Sequence, residues 1–109
     1  MKAVYIAHPL RGRGARDEEM NRASVTRICA EISAMCPNVL VFSPLHNYSY
    51  ISGRDDQFWV LHQCRHWLMK CDELWVYGDW ESSDGCVMEV DMAQALGKKI
   101  VFKDGGECE

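Results

Sequence analysis

"CDELWVYGDWESSDGCVMEVDMAQALGKKIVF", residues 71–102, decides the fold. An apolar run, "ELWVY" (73–77), leads through a turn rich in serine, aspartate and glycine into a helical pattern that stops at "LGKK". A second apolar run, "KIVF" (99–102), follows at once. A strand, a helix and a strand joined this closely must pair in parallel, because the helix carries the chain back over one sheet face. Gly97 is placed to end the helix in the left-handed conformation that a C-terminal cap requires.

Outward from that unit the same alternation recurs. "AVYIA" (3–7) and "NVLVF" (38–42) are further apolar runs. All four are continuous rather than alternating, as expected of strands covered on both faces. Residues Glu18 to Met35 place Val25, Ile28, Cys29, Ile32 and Met35 on one helical stripe and leave Arg22, Arg27 and Glu31 to solvent. From about Asp56 to Met69, the stripe is Phe58, Leu61, Arg65 and Leu68, with the arginine extending its charge to the rim. The order predicts one small doubly wound α/β domain over residues 1–109, a three-layer flavodoxin- or Rossmann-like parallel sheet of about four strands in the order 2-1-3-4. The longest irregular stretch, "SPLHNYSYISGRDDQ" (43–57), has the length of a functional loop rather than a connector.

The totals bound the function. A chain of 109 residues, 48% apolar and 26% charged, is a globular domain with a single core. A formal net charge of −4 argues against a protein that neutralises nucleic-acid polymers. No apolar stretch approaches the roughly 20 residues of a membrane span, and "MKAVYIAHPL" enters a strand without an apolar leader, so no membrane partner and a cytoplasmic location are expected. The six cysteines form no CxxC pair and fall mostly inside hydrophobic segments, which predicts reduced, buried thiols. His62 and His66 are four apart on a helix, but no third ligand converges and Cys64 points to another face, so no metal is expected.

In open parallel sheets, ligands bind beyond the carboxyl ends of the strands, where the strand order reverses. The segments that emerge there are "HPLRGRG" (8–14), "SPLHNYSY" (43–50) and "GDWESSDG" (78–85), which are also the richest in polar and aromatic groups. Glu89 follows the third of them, one turn into a helix and among apolar neighbours. Helix-terminal N–H groups and the dipole favour its ionised form, and such a carboxylate is a competent nucleophile toward a sugar carbon. The alternative is a glutamate that stabilises the helix start or pairs with a lysine. Arg11 and Arg13 lie among glycines in the first loop, with His8 and Gly12 beside them, where a guanidinium and backbone N–H groups can meet a phosphate or sugar oxygen; a solvated basic loop is the plain alternative. Tyr5 reads as core with a hydrogen-bonded hydroxyl. His46, beside Asn47 and Tyr48, can stack on or hydrogen-bond a ligand, and Trp80 is placed to cover a flat ring. Ser83, Asp84 and Gly85 start the helix, and Ser83 or Asp84 can also orient Glu89 or a ligand hydroxyl.

Taken together, "VYIAHPLRG" (4–12), the stretch 71–102 and their separation resemble the nucleoside 2-deoxyribosyltransferase superfamily, which includes the deoxynucleoside 5′-monophosphate N-glycosidases. The resemblance is strongest to its small, poorly characterised, often phage-encoded relatives. Its core pattern, S-x-G-x-x-x-E-x-x-x-A, sits at Ser83, Gly85, Glu89 and Ala93. The resemblance implies that Glu89 is the nucleophile that attacks the anomeric carbon, that Tyr5 lies near it, that Arg11, Gly12 and Ser83 contact phosphate or sugar, and that His46 lines the pocket. It implies no cofactor, a nucleoside or nucleotide as the small-molecule partner, and a homodimer or higher homo-oligomer with shared pockets. One position departs: eight residues before Asp72, where relatives carry an aspartate, this chain has Cys64. Two functions fit these residues. One is cleavage or transfer at the N-glycosidic bond of a nucleoside or its 5′-monophosphate; the other is a non-catalytic module that holds a nucleotide or an ADP-ribose-like ligand.

Overall fold

The structure, a computed structural model, describes residues 1–51 and 57–104. The elements run β1 (Lys2–Ala7), α1 (Ala15–Met35), β2 (Val39–Phe42), α2 (Pro44–Asn47), α3 (Gln57–Lys70), β3 (Glu73–Tyr77), a 3₁₀ turn (Trp80–Ser82), α4 (Asp84–Ala95) and β4 (Lys99–Lys103). The four strands form one sheet in the order β2-β1-β3-β4. Every pair is parallel, with Tyr5 opposite Phe42 on one side and Leu74 on the other, and Trp75 opposite Val101. This is the doubly wound α/β architecture that the alternation of runs and stripes predicts.

Period-two alternation divides the apolar interior between the two sheet faces, giving two cores where the chain length suggested one. Val4, Ile6, Trp75 and Tyr77 face α1 and pack on Val25, Ile28 and Ile32. Tyr5, Ala7, Leu74 and Val76 face the other way, onto Cys64 and Leu68 of α3 and Cys86, Val90 and Ala93 of α4. Every residue of β3 is buried, which is why its sequence is a continuous apolar run from Leu74 to Tyr77 rather than an alternating one. Its one charged member, Glu73, accepts from the Trp75 indole at 3.0 Å and pairs with Lys2 Nζ at 2.9 Å.

α4 ends as expected. Gly97 takes φ +69, and the Lys98 N–H reaches back to the Ala93 carbonyl at 2.9 Å, the long bond of a Schellman cap. Two stripes needed correction. Met35 is 60% exposed and Phe58 is 85% exposed, so neither belongs to the core. The inner line of α3 runs through Cys64 and Leu68 toward Cys71, because that is the side α3 turns to the sheet, and Phe58 lies off it. The start of that helix expected at Asp56 falls outside the described residues. α2, within the stretch read as an irregular loop, is a single turn started by Pro44, which suits the first helical position.

The cysteines also divide. Cys64, Cys71 and Cys86 are free and buried and Cys29 is free and half-buried, but Cys36 is disulfide-bonded. The expectation of reduced thiols throughout is corrected at Cys36, because a missing CxxC pair speaks only for neighbours in sequence. Among the described residues, no helix is long and apolar enough to cross a membrane.

Candidate active site

The strand order reverses between β1 and β3, and a cleft of about 930 Å³ opens beyond their carboxyl ends. Loop segments after β1, β2 and β3 and the helices α1, α3 and α4 contribute to it. The β1–α1 loop supplies His8, Arg11 and Gly12; the segment after β2 supplies Tyr48 and Ile51; the segment after β3 supplies Asp79 and Ser83. α3 contributes Cys64, and α4 contributes Asp84, Gly85 and Glu89.

Glu89 is the centre of the arrangement. Ser83 starts α4, its Oγ accepting the Cys86 N–H at 3.3 Å, and Glu89 comes one and a half turns later on the face that also buries Cys86, Val90 and Ala93. That face packs on the β3–β4 side of the sheet, and the Glu89 carboxylate, 8% exposed and lining the cleft, reaches across to Tyr5 of β1. The Tyr5 hydroxyl donates to Glu89 Oε2 in the buried interior. Burial pushes the Glu89 carboxyl up to about 7, against the opposing pull of the Tyr5 hydrogen bond. The expectation that the helix terminus holds it ionised is therefore corrected. Unpaired N–H groups belong to the first four residues of a helix, and the dipole acts within the first turn. Glu89 lies past both, where desolvation dominates.

Tyr5 satisfies both of its readings. Its ring is wholly buried, 5.3 Å from that of Phe42, while its hydroxyl serves the carboxylate. Burial, reinforced by the Glu89 charge, raises the phenol well above its ordinary range, so it stays a donor. The Cys64 thiol lies beside the same hydroxyl. Burial pushes the Cys64 thiol up to about 11, and it is protonated at neutral pH. A second carboxylate at this position would repel Glu89 in a desolvated pocket, and a neutral thiol does not.

The first loop is tied down on both sides. His8 places Nδ1 2.6 Å from the Pro9 carbonyl and Nε2 3.0 Å from Ser24 Oγ. Because the carbonyl can only accept, Nδ1 carries the proton and Nε2 accepts from the serine. Burial lowers the His8 pKa, so the ring is neutral. Asn21 Nδ2 donates to the Leu10 carbonyl at 2.8 Å and fixes the loop on α1. Gly12 has φ +50, and a Cβ there would come within 2.7 Å of the Asp17 side chain. That close approach requires glycine.

Two expected ligand groups are placed elsewhere. His46 bonds Ser43 Oγ through Nδ1 at 2.7 Å and Thr26 Oγ1 through Nε2 at 2.9 Å, and it is not among the residues that line the cleft. It fastens α2 to α1. Trp80 turns from the cleft to pack on Phe102 of β4, ring centroids 5.2 Å apart. The aromatic lining residue is instead Tyr48, whose hydroxyl accepts from the Trp67 indole at 2.9 Å. Asp17, Asp79 and Cys86 also reach the cleft and were not singled out from sequence. The position of Asp79 just after an apolar strand was the available signal for it. His62 and His66 lie on the exposed side of α3 with ring centroids 4.9 Å apart. Among the described residues, no group of three histidines, cysteines or carboxylates is placed to hold a metal.

A parallel α/β domain with a buried tyrosine–glutamate pair opening on a cleft at the strand-order reversal defines the class. The chain belongs to the family described as "Domain of unknown function (DUF7768)", whose model matches residues 2–103. Among solved structures, the CMP N-glycosidase BcmB of Clostridium botulinum shares the fold, with a TM-score of 0.61 and 18% sequence identity over 93% of this chain and 70% of that one. No curated protein matches the chain in sequence.

Proposed function

We propose that the protein cleaves or transfers at the N-glycosidic bond of a nucleoside or nucleoside 5′-monophosphate, with Glu89 as nucleophile. The observation that carries this reading is the Glu89 carboxylate, buried against Tyr5 and lining the cleft. The fold shared with a CMP N-glycosidase supports it.

In the ionised form, a Glu89 oxygen attacks the anomeric carbon through an oxocarbenium-like transition state, the C–N bond breaks, and the base leaves. The product is a glycosyl ester on Glu89. Water or a second base then attacks the same carbon, the ester C–O bond breaks, and the carboxylate is restored. Over a full hydrolysis one water is consumed, its oxygen ending on the sugar and a proton on the base. Tyr5 holds the carboxylate in position and withdraws charge from it, which lowers its basicity while fixing its aim.

The test is chromatographic detection of free base from a panel of nucleosides and monophosphates, with Glu89→Ala and Glu89→Gln run beside the parent. Release that both variants abolish supports the reading, whereas release undiminished in both removes Glu89 from the mechanism. A second reading, a ligand-binding module without turnover, is favoured by one feature: the thiol of Cys64 offers no carboxylate to manage a sugar hydroxyl or a proton. Saturable ligand binding without base release would select it.

A further inference from the structure

The charged groups that line the cleft have an unusual balance. Among the described residues, Asp17, Asp79, Asp84 and Glu89 are acidic and Arg11 is the one basic side chain, while His8 is neutral. Two of the backbone donors that could hold a phosphate are also already taken by the protein's own oxygens. In the β1–α1 loop, Asp17 Oδ2 accepts the Arg13 backbone N–H at 2.8 Å, lies 3.9 Å from Arg13 Nε, and packs directly on Gly12. A backbone donor of the kind that cradles a phosphate is thus occupied by an internal carboxylate. At the start of α4, Ser83 Oγ takes the Cys86 N–H and Asp84 stands in the first turn. After β3, the Asp79 carboxylate accepts from Ser82 Oγ at 2.8 Å.

We propose that this cleft takes the unphosphorylated nucleoside in preference to its 5′-monophosphate, with the Asp17 carboxylate setting the preference. The inference rests on the glycosidic reading above and narrows its substrate class. Sugar hydroxyls are donors and match a rim of carboxylate acceptors, whereas a phosphate dianion brings acceptors and negative charge to groups of the same kind. Asp17 acts as a stand-in anion: it satisfies the loop and repels a second one.

The experiment compares base release and calorimetric binding for matched nucleosides and 5′-monophosphates, with the parent protein and Asp17→Asn. The asparagine oxygen can still accept the Arg13 N–H, so loop geometry is kept while the charge is removed, and an unchanged melting temperature verifies this. The parent should prefer the nucleoside by at least about tenfold in kcat/KM or affinity, the scale of a like-charge repulsion near a protein surface. In Asp17→Asn the gap should narrow by about tenfold through tighter monophosphate binding, and in the parent it should shrink as salt is raised. A parent that binds or cleaves monophosphates as well as nucleosides overturns the inference and leaves the glycosidic reading intact. Selective nucleoside binding with no base release from any substrate upholds the inference and removes the reading. An unchanged preference in Asp17→Asn overturns the role of Asp17.

Discussion

The Tyr5 hydroxyl, at the middle of the central strand, donates to the Glu89 carboxylate on a helix 84 positions later in the chain. The bond ties the third crossover to the sheet and sets the state of the one acid buried at the cleft floor. Desolvation favours the neutral acid, and the phenol favours the anion. Burial wins, which leaves the carboxyl close to half-ionised at neutral pH.

That balance has a thermodynamic sign. A carboxyl pushed up to about 7 in the folded protein, against an ordinary value of 4.5, holds a proton that the unfolded chain releases. Between those values the folded state binds more protons, so stability falls as pH rises through the window. Glu89→Gln keeps the shape without the charge and should stabilise the protein at pH 8, by on the order of 1–3 kcal/mol, with little effect near pH 4. Urea denaturation at the two pH values measures it. A variant no more stable than the parent at pH 8 would show that Glu89 ionises without cost.

Catalysis should run in the opposite direction. On the proposed mechanism only the anion attacks, so base release should rise with pH and level off above about 7, where the carboxyl has ionised. Tyr5→Phe removes the donor that favours the anion. Its acid limb should move to higher pH, and stability should drop by about 1 kcal/mol at pH 8, where the carboxylate loses its partner. A pH–rate profile that superimposes on the parent's would separate Tyr5 from Glu89 ionisation.

Cys64→Asp places a second carboxyl beside the Tyr5 hydroxyl and near Glu89. Two acids in one desolvated pocket cannot both ionise cheaply, so the variant should be less stable than the parent at pH 8 and should recover as pH falls. Cys64→Ser, which adds no charge, should show no such pH dependence. Parallel melting curves of the three proteins from pH 5 to pH 8 distinguish these outcomes.

Gly12→Ala combines two penalties. The residue has φ +50, and the added Cβ would meet the Asp17 side chain at 2.7 Å. Destabilisation of about 1–2 kcal/mol is expected, seen as a melting temperature lower by several degrees. Gly85→Ala is the control, since nothing lies within 4 Å of a Cβ there and the helix favours alanine. It should match or exceed the parent.

Legibility differed between fold and site. Glu89 was visible because a carboxylate among Cys86, Val87, Met88 and Val90 does not read as a freely solvated charge, and Tyr5 because a polar tip inside an apolar strand needs a partner. What neither pattern disclosed is that these two groups are partners. His46 and Trp80 were legible as ligand groups only by position in a loop. Where a loop side chain turns depends on what it can bond or cover nearby, and here Ser43, Thr26 and Phe102 supplied those partners.

By itself, the amino-acid order determined the parallel sheet and its strand sequence, because unbroken apolar runs require cover on both faces and short connections allow only one hand of crossover. It also determined where the cleft opens, since the order reversal follows from the same topology. Only the tertiary structure decided which groups surround that place and in what charge state. Ionisation depends on desolvation and on the distance to a partner, and those are properties of packed surfaces rather than of positions along a chain. Glu89 shows the difference: its helix was readable, but its proton was set by a tyrosine on the first strand.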